Sequence, residues 1–300
     1  MQLAGLPEQA PSGMGHTTPF VRGEATLDPS RGSAISLEDS PTIMYIPGFG
    51  EDIVNKASFA AELMLRGAHV ILPGQNREGM DYDNEDHADP ISSQAYNYLD
   101  VLSAAKRDGE TVHFAAHSLG APVVERMVEL QPYLFSDSHI FMLAPACSIE
   151  KERYPQLGFR WLRMMASEMN PKRPMEFPDP KGVTGTASAK VLLSNVSRTL
   201  HEVRALRKQK INYRRLAGKV GGLSVYSYAE DRMFPGMRMI STMRKAPEVE
   251  WSTPVDVFDR SKKYPGAGAT HDDEQFTPSR VVRVILDRLI PGSQRVEVAA

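Results

Sequence analysis

The sequence predicts an α/β fold, a mostly parallel sheet covered by helices on both faces. Three observations predict it. Short apolar runs suited to buried strands recur at residues 42–46, 68–72, 111–116 and 139–143, the first two stopped by Pro47-Gly48 and Pro73-Gly74. Segments with helical periodicity separate these runs at residues 54–66, 91–106 and 121–130. Strands that alternate with helices of about 10–15 residues require right-handed crossovers, which place helices on both faces of a parallel sheet.

Residues 1–40 are rich in Gly, Pro, Ser and Thr and poor in periodicity, so they form an irregular arm with one or two weak edge strands. The helix at 54–66 carries Phe59, Leu63 and Leu65 among its apolar residues, and Gly67 suits its C-terminal end. The acidic stretch of Asp81, Asp83, Glu85, Asp86 and Asp89 lacks the glycine and terminal glutamate of a calcium loop. It reads as a solvated loop near a pocket mouth. After Ala144 the alternation breaks, and residues 148–219 read as helical throughout. The β pattern returns at 223–228 and near 255–258, and an amphipathic helix at 279–289 closes the chain. The organisation expected is an arm at 1–40, a core from 41–147 and 220–300, and a helical cap inserted at 148–219 over one end of the sheet.

Composition narrows the function. A net charge of −2 argues neither for a nucleic-acid partner nor for a highly acidic solvated chain, so no nucleic acid is expected, and 41% hydrophobic with 24% charged residues is ordinary for a globular protein. One cysteine, Cys147, allows no intramolecular disulfide and supplies no zinc cluster. The start carries no basic region followed by an apolar stretch, and no run approaches the roughly 18 apolar residues of a membrane helix. A cytoplasmic protein is the expectation. The oligomeric state has no signature.

The main chemical signal lies at residues 111–122. A strand runs into Ala116-His117-Ser118-Leu119-Gly120, and a helix follows at once. A nucleophilic serine on a sharp strand-to-helix turn needs small residues two before and two after it, because bulk there would strike the adjoining backbone. The helix then aims its first N–H groups at the reacting carbonyl. A serine capping an ordinary turn has the same local look, so the order of possible partners matters. Glu230 and Asp231 directly follow the strand at 223–228, and His271 lies in a Gly-containing loop before the last helix. A serine hydroxyl needs an imidazole to take its proton and a carboxylate to hold that imidazole in the productive tautomer. Serine, acid and histidine occur here in that order. His117, beside the serine, reads as a packing residue. At Ile46-Pro47-Gly48-Phe49-Gly50 the glycines let the backbone turn an N–H toward the nucleophile. The Phe49 and Leu119 amides are the candidate oxyanion hole.

From residue 42 to 289 the chain resembles the α/β-hydrolase superfamily, with a helical cap between the sixth and seventh strands of that family's sheet. The resemblance implies Ser118 as nucleophile, Asp231 as acid and His271 as base. Asp231 is preferred to Glu230 because it begins an Asp-x-x-x-Pro spacing ending at Pro235. Two departures stand out: Ala116 replaces the commoner first glycine, and Pro47 stands where many relatives have histidine. Serine at the elbow disfavours the dehalogenases and epoxide hydrolases, which carry aspartate there. Cap placement resembles the lipase, esterase and lysophospholipase-like branches.

Residues 151–219 hold 16 Lys+Arg against 5 Asp+Glu, a balance of +11, beside an apolar group that includes Phe159, Trp161, Met164 and Met169. The pairing suits an acyl chain with an anionic or polar head, and transient contact with an anionic interface through the cap. The reading is a serine hydrolase for carboxylic esters, esterase- or lipase-like, with a small-molecule or lipid-like substrate, and it expects no metal and no cofactor. Thioesterase, acyltransferase and peptidase chemistry use the same machinery and are left open. The rival from another class is a non-catalytic ligand-binding protein on the same fold.

Overall fold

The computed structural model describes residues 20–26, 40–48, 56–74, 89–146, 156, 159–160, 202–206, 208, 210–226, 231, 250–252 and 278–290. Seven strands form one sheet: β1 (Phe20–Gly23), β2 (Thr42–Ile46), β3 (His69–Pro73), β4 (Val112–His117), β5 (His139–Leu143), β6 (Gly222–Tyr226) and β7 (Glu250–Ser252). Among the described residues the helices with both ends defined are α1 (Ala57–Leu65), α2 (Pro90–Ala105), α3 (Gly120–Leu130), α4 (Tyr213–Ala217) and α5 (Pro278–Leu289), and residues 202–206 are also helical. The spatial order is β1-β3-β2-β4-β5-β6-β7, with β1 antiparallel and every other pair parallel.

This is the predicted α/β architecture. The strand at 139–143 falls where the sequence places it, and those at 69–73 and 112–117 lie one residue later than predicted. The arm contributes one edge strand, β1. The predicted strand near 255–258 lies outside the described residues, whereas β7 at 250–252 was not anticipated.

The central strands are buried on both faces, as a covered parallel sheet requires. Met44, Ile46, Phe114, Ala116, Ile140 and Met142 pack on one face with α2 and α3. Ile43, Tyr45, Ala115, Phe141 and Leu143 pack on the other with Phe59 and Leu63 of α1 and Val282 and Ile285 of α5. The far end of the segment read as a cap joins the first of these cores. Leu206, Tyr213 and Leu216 are buried in it, Gln94 Nε2 donates to Glu202 Oε1 at 3.3 Å, and Asn212 N donates to Glu125 Oε1 at 2.7 Å.

Local chemistry sets the element ends. Gly67 has φ 91°, its N–H reaches Met64 O at 3.0 Å, and Ala68 N reaches Leu63 O at 3.0 Å. That is the full left-handed helix cap its position predicted. Asp89, the last acid of the predicted solvated loop, is the N-cap of α2. It accepts from Ser92 N at 3.1 Å, with Pro90 opening the helix.

Two polar groups join the amino ends of the strands. Arg22 of β1 donates to Glu110 at 2.6 Å and to Ala105 O at 2.8 Å, and Thr42 also donates to Glu110. Burial pushes the Glu110 carboxyl up, but hydrogen bonds from Arg22, the Arg107 N–H and Thr42 outweigh it and bring it to about 2. On β4 and β5, His139 N donates to His113 Nδ1 at 3.0 Å, and His139 Nε2 lies 2.8 Å from Ser224 Oγ. His139 stacks on Phe141, and a Cβ on Gly222 would collide with its ring. Burial lowers both histidines to about 4, with His113 and Arg288 also acting on His139.

Candidate active site

In the chain, β2 leads to β3 on one side of it, and α2 then carries the chain to β4 on the other side. The carboxyl ends of β2 and β4 are therefore the switch point of the sheet, where a crevice opens and ligands bind in open α/β folds. Ile46 pairs with Ala116 at these ends, so the predicted oxyanion segment and the predicted nucleophile leave the sheet side by side.

Ser118 occupies the turn between β4 and α3 with φ 49°, in the left-handed region that non-glycine residues adopt at a cost. Its backbone is held from both ends. Ser118 N donates to Leu143 O at 2.9 Å, while Ser118 O accepts from Ala146 N at 2.9 Å and Ala121 N at 3.2 Å. The chain leaving β5 thus curls over the elbow. It is fixed in turn by Ala144, which has φ 42° and donates to Tyr226 O of β6 at 2.8 Å. Backbone bonds from β5, from the segment after it and from the start of α3 over-determine the serine's conformation, the condition under which local strain persists.

The small flanks have distinct reasons. Ala116 is fully buried between β2 and β5, where Ile46 and Met142 are its cross-strand neighbours. At Gly120 a Cβ would collide with the Ile46 carbonyl oxygen, which is backbone and cannot rotate away. Glycine lets α3 start directly against β2. Leu119, the N-cap residue, has φ −59° and ψ −27°, and its N–H makes no backbone hydrogen bond among the described residues. A donor at a helix N-terminus next to the serine is what an oxyanion requires.

Ser118 is 5% exposed, His117 1% and Asp231 4%. Asp231 lies five positions beyond Tyr226, the last residue of β6, and β6 is two strands from β4. Ser118 and Leu119 are thus described at the carboxyl end of β4, and Asp231 is described as a buried residue that follows β6 in the chain. His271, Phe49 and Glu230 lie outside the described residues, although Pro47 and Gly48, which lead to Phe49, are buried at the end of β2. The hold that Leu143 and Ala146 exert on Ser118 has no sequence signal, because Ala144-Pro145-Ala146 looks like any strand exit. Among the described residues no group of three or more His, Cys, Asp or Glu could hold a metal ion, and no helix is long and apolar enough to cross a membrane.

Neither a family model nor a curated protein matches the sequence. Solved structures do. A lipase from Acinetobacter baumannii AYE, described as putative, aligns over 94% of this chain and 91% of its own at 14% identity and TM-score 0.58. A thermophilic esterase from Thermogutta terrifontis aligns over 91% and 93% at 15% identity and TM-score 0.55. A deformylase from Pseudomonas putida S16 aligns over 90% and 95% at 11% identity and TM-score 0.53. These likenesses show that the chain has the α/β-hydrolase fold.

Proposed function

We propose that this α/β-hydrolase-fold chain is a serine hydrolase that cleaves carboxylic esters through an acyl-enzyme on Ser118. The observation that carries the reading is the positive φ of Ser118, set between β4 and α3 with Gly120 pressed on the Ile46 carbonyl. A strained serine at a sheet's switch point, followed by a helix N-terminus, is built for nucleophilic attack and not for packing. The esterase and lipase names among the structural neighbours agree with it.

The steps follow from the roles. Ser118 Oγ attacks the ester carbonyl carbon as His271 takes its proton, and Asp231 holds the resulting imidazolium. The N–H groups of Phe49 and Leu119 receive the charge that develops on the carbonyl oxygen. Collapse breaks the ester bond, the departing alkoxide takes the proton from His271, and the acyl group stays on Ser118. Water, deprotonated by His271, attacks the acyl carbon, and the acid leaves with Ser118 restored. No step needs a cofactor.

The basic stretch at 151–219 favours substrates with anionic heads and contact with anionic interfaces, and its described Arg204 and Lys208 are exposed. The test is a panel of p-nitrophenyl esters of rising acyl length, with a matched thioester. Turnover of at least one ester, faster than of its thioester, is expected. Added salt to about 0.1 M should lower kcat/KM for an anionic ester more than for its neutral counterpart. Absence of turnover across the panel contradicts the function, and preference for the thioester moves the assignment to thioesterase.

A further inference from the structure

Besides Ser118, one non-glycine residue among those described has a positive φ: Ala144, buried directly after β5, with φ 42°. An L-residue adopts that conformation at a cost. Such strain persists where surrounding contacts fix it, and it clusters at functional sites.

Hydrogen bonds join the two strained positions. Ala144 N donates to Tyr226 O at 2.8 Å, which anchors the turn on β6. Two residues on, the buried Ala146 donates its N–H to Ser118 O at 2.9 Å. Ala121 N, in the first turn of α3, donates to the same oxygen at 3.2 Å. The Ser118 carbonyl thus accepts two bonds, one for each lone pair.

That carbonyl belongs to the same peptide unit as the Leu119 N–H. The unit is planar and trans, so its C=O and N–H point to opposite sides. Fixing the Ser118 oxygen therefore fixes the direction of the Leu119 N–H. The segment holding the oxygen leaves β5 on one side of β4, and β2 lies on the other side. The Leu119 donor is turned away from the β5 side and toward the β2 side, where the switch-point crevice opens.

We propose that Ala146 is a positioning residue for acyl transfer, its N–H holding the Ser118 carbonyl so that the Leu119 N–H faces the developing oxyanion. Ala144 sets the turn that brings Ala146 there. This rests on the ester-hydrolase reading above. A donor fixed in advance needs no reorganisation as charge moves onto the carbonyl oxygen. The effect belongs in kcat and not in KM.

The test removes the Ala146 N–H in two ways. Ala146→Pro lacks the donor, and lactic acid at position 146 replaces the amide by a backbone ester while keeping the methyl group. Both are compared with the parent on a p-nitrophenyl ester the parent cleaves, well below each Tm. Each should lower kcat roughly tenfold with KM nearly unchanged, less than loss of a direct oxyanion donor costs. The Ki of a trifluoromethyl ketone, which forms a tetrahedral oxyanion adduct with the serine, should rise by a similar factor. The Ki of the matching methyl ketone, which binds without forming the adduct, should stay the same. Unchanged kcat and trifluoromethyl ketone Ki in the folded ester variant overturns the proposal, because a merely structural bond lowers Tm alone. An equal rise for both ketones also overturns it, since that reports general distortion of the site. So does failure of both variants to fold, which assigns the bond to stability. Ser118→Ala is run beside them: if it keeps full activity, the hydrolase reading fails, and if it is inactive while the position-146 variants match the parent, only the Ala146 role fails.

Discussion

The carbonyl oxygen of Ile46 occupies the space that a side chain on Gly120 would need. One backbone contact thus joins the end of β2 to the start of α3 and sets the spacing between the two proposed sources of oxyanion donors. Gly120→Ala should force these elements apart, costing about 1–3 kcal/mol of stability as overpacking does, and lowering kcat at least tenfold. Gly218→Ala is the control. There a Cβ would meet Arg214 O and Arg215 O at 3.7 Å, an ordinary contact, and φ is −74°. It should be neutral or stabilising by about 0.5 kcal/mol. Urea unfolding and ester kinetics on the two variants check both.

The φ of 49° at Ser118 stores strain that glycine would not feel. Ser118→Gly should therefore be more stable than Ser118→Ala by about 1 kcal/mol, while both lose ester cleavage. Equal unfolding midpoints in the two variants would show that the strain is absent.

For the acid, Asp231→Asn should reduce kcat by orders of magnitude, because a carboxylate is needed to hold the imidazole tautomer. Glu230→Gln should have a small effect, since successive side chains beyond a strand end diverge. Steady-state kinetics on the pair decide it, and a reversed order would move the role to Glu230.

Acid should weaken the fold in two stages. His113 and His139 have folded values near 4 against an ordinary 6.5. A depressed histidine costs nothing above pH 6.5, and stability then falls as the unfolded chain takes up protons between pH 6.5 and 4. After discounting for partial exposure, each contributes about 2 kcal/mol of this loss. His113 Nδ1 accepts the His139 N–H, so its protonation also removes a hydrogen bond. Glu110, held near 2 against 4.5, adds stability above pH 4.5 that is lost as pH falls toward 2. His139→Phe, which keeps the stack on Phe141, should remove about half of the first stage, leaving the part due to His113, and leave the second stage unchanged. Urea midpoints from pH 7 to 3 measure both.

What the sequence revealed was local. The strands at 42–46 and 139–143 have apolar runs with clear ends, and Gly67 has a cap's signature. The small-x-Ser-x-Gly pattern exposed the elbow because its spacing reports backbone crowding directly. What stayed hidden was tertiary. A lysine opening an amphipathic helix reads as solvated, so nothing marks Lys56 as buried over Tyr45. β7 contains Glu250 and Ser252 in three residues and has no apolar run to announce it. The clamp from Leu143 and Ala146 onto Ser118 consists of backbone groups that every residue carries. That the 202–216 region joins the α2–α3 core follows from Leu206, Tyr213 and Leu216 meeting that face, which a basic stretch conceals.

The central claim is that Ser118 is an activated nucleophile. Its most direct test is labelling of the native protein with a fluorophosphonate, followed by identification of the modified peptide. A single adduct on Ser118 is expected, absent after heat denaturation and absent in Ser118→Ala, because only a serine deprotonated by its histidine attacks phosphorus at a useful rate. No adduct on the native protein, or an adduct on another serine, would contradict the account.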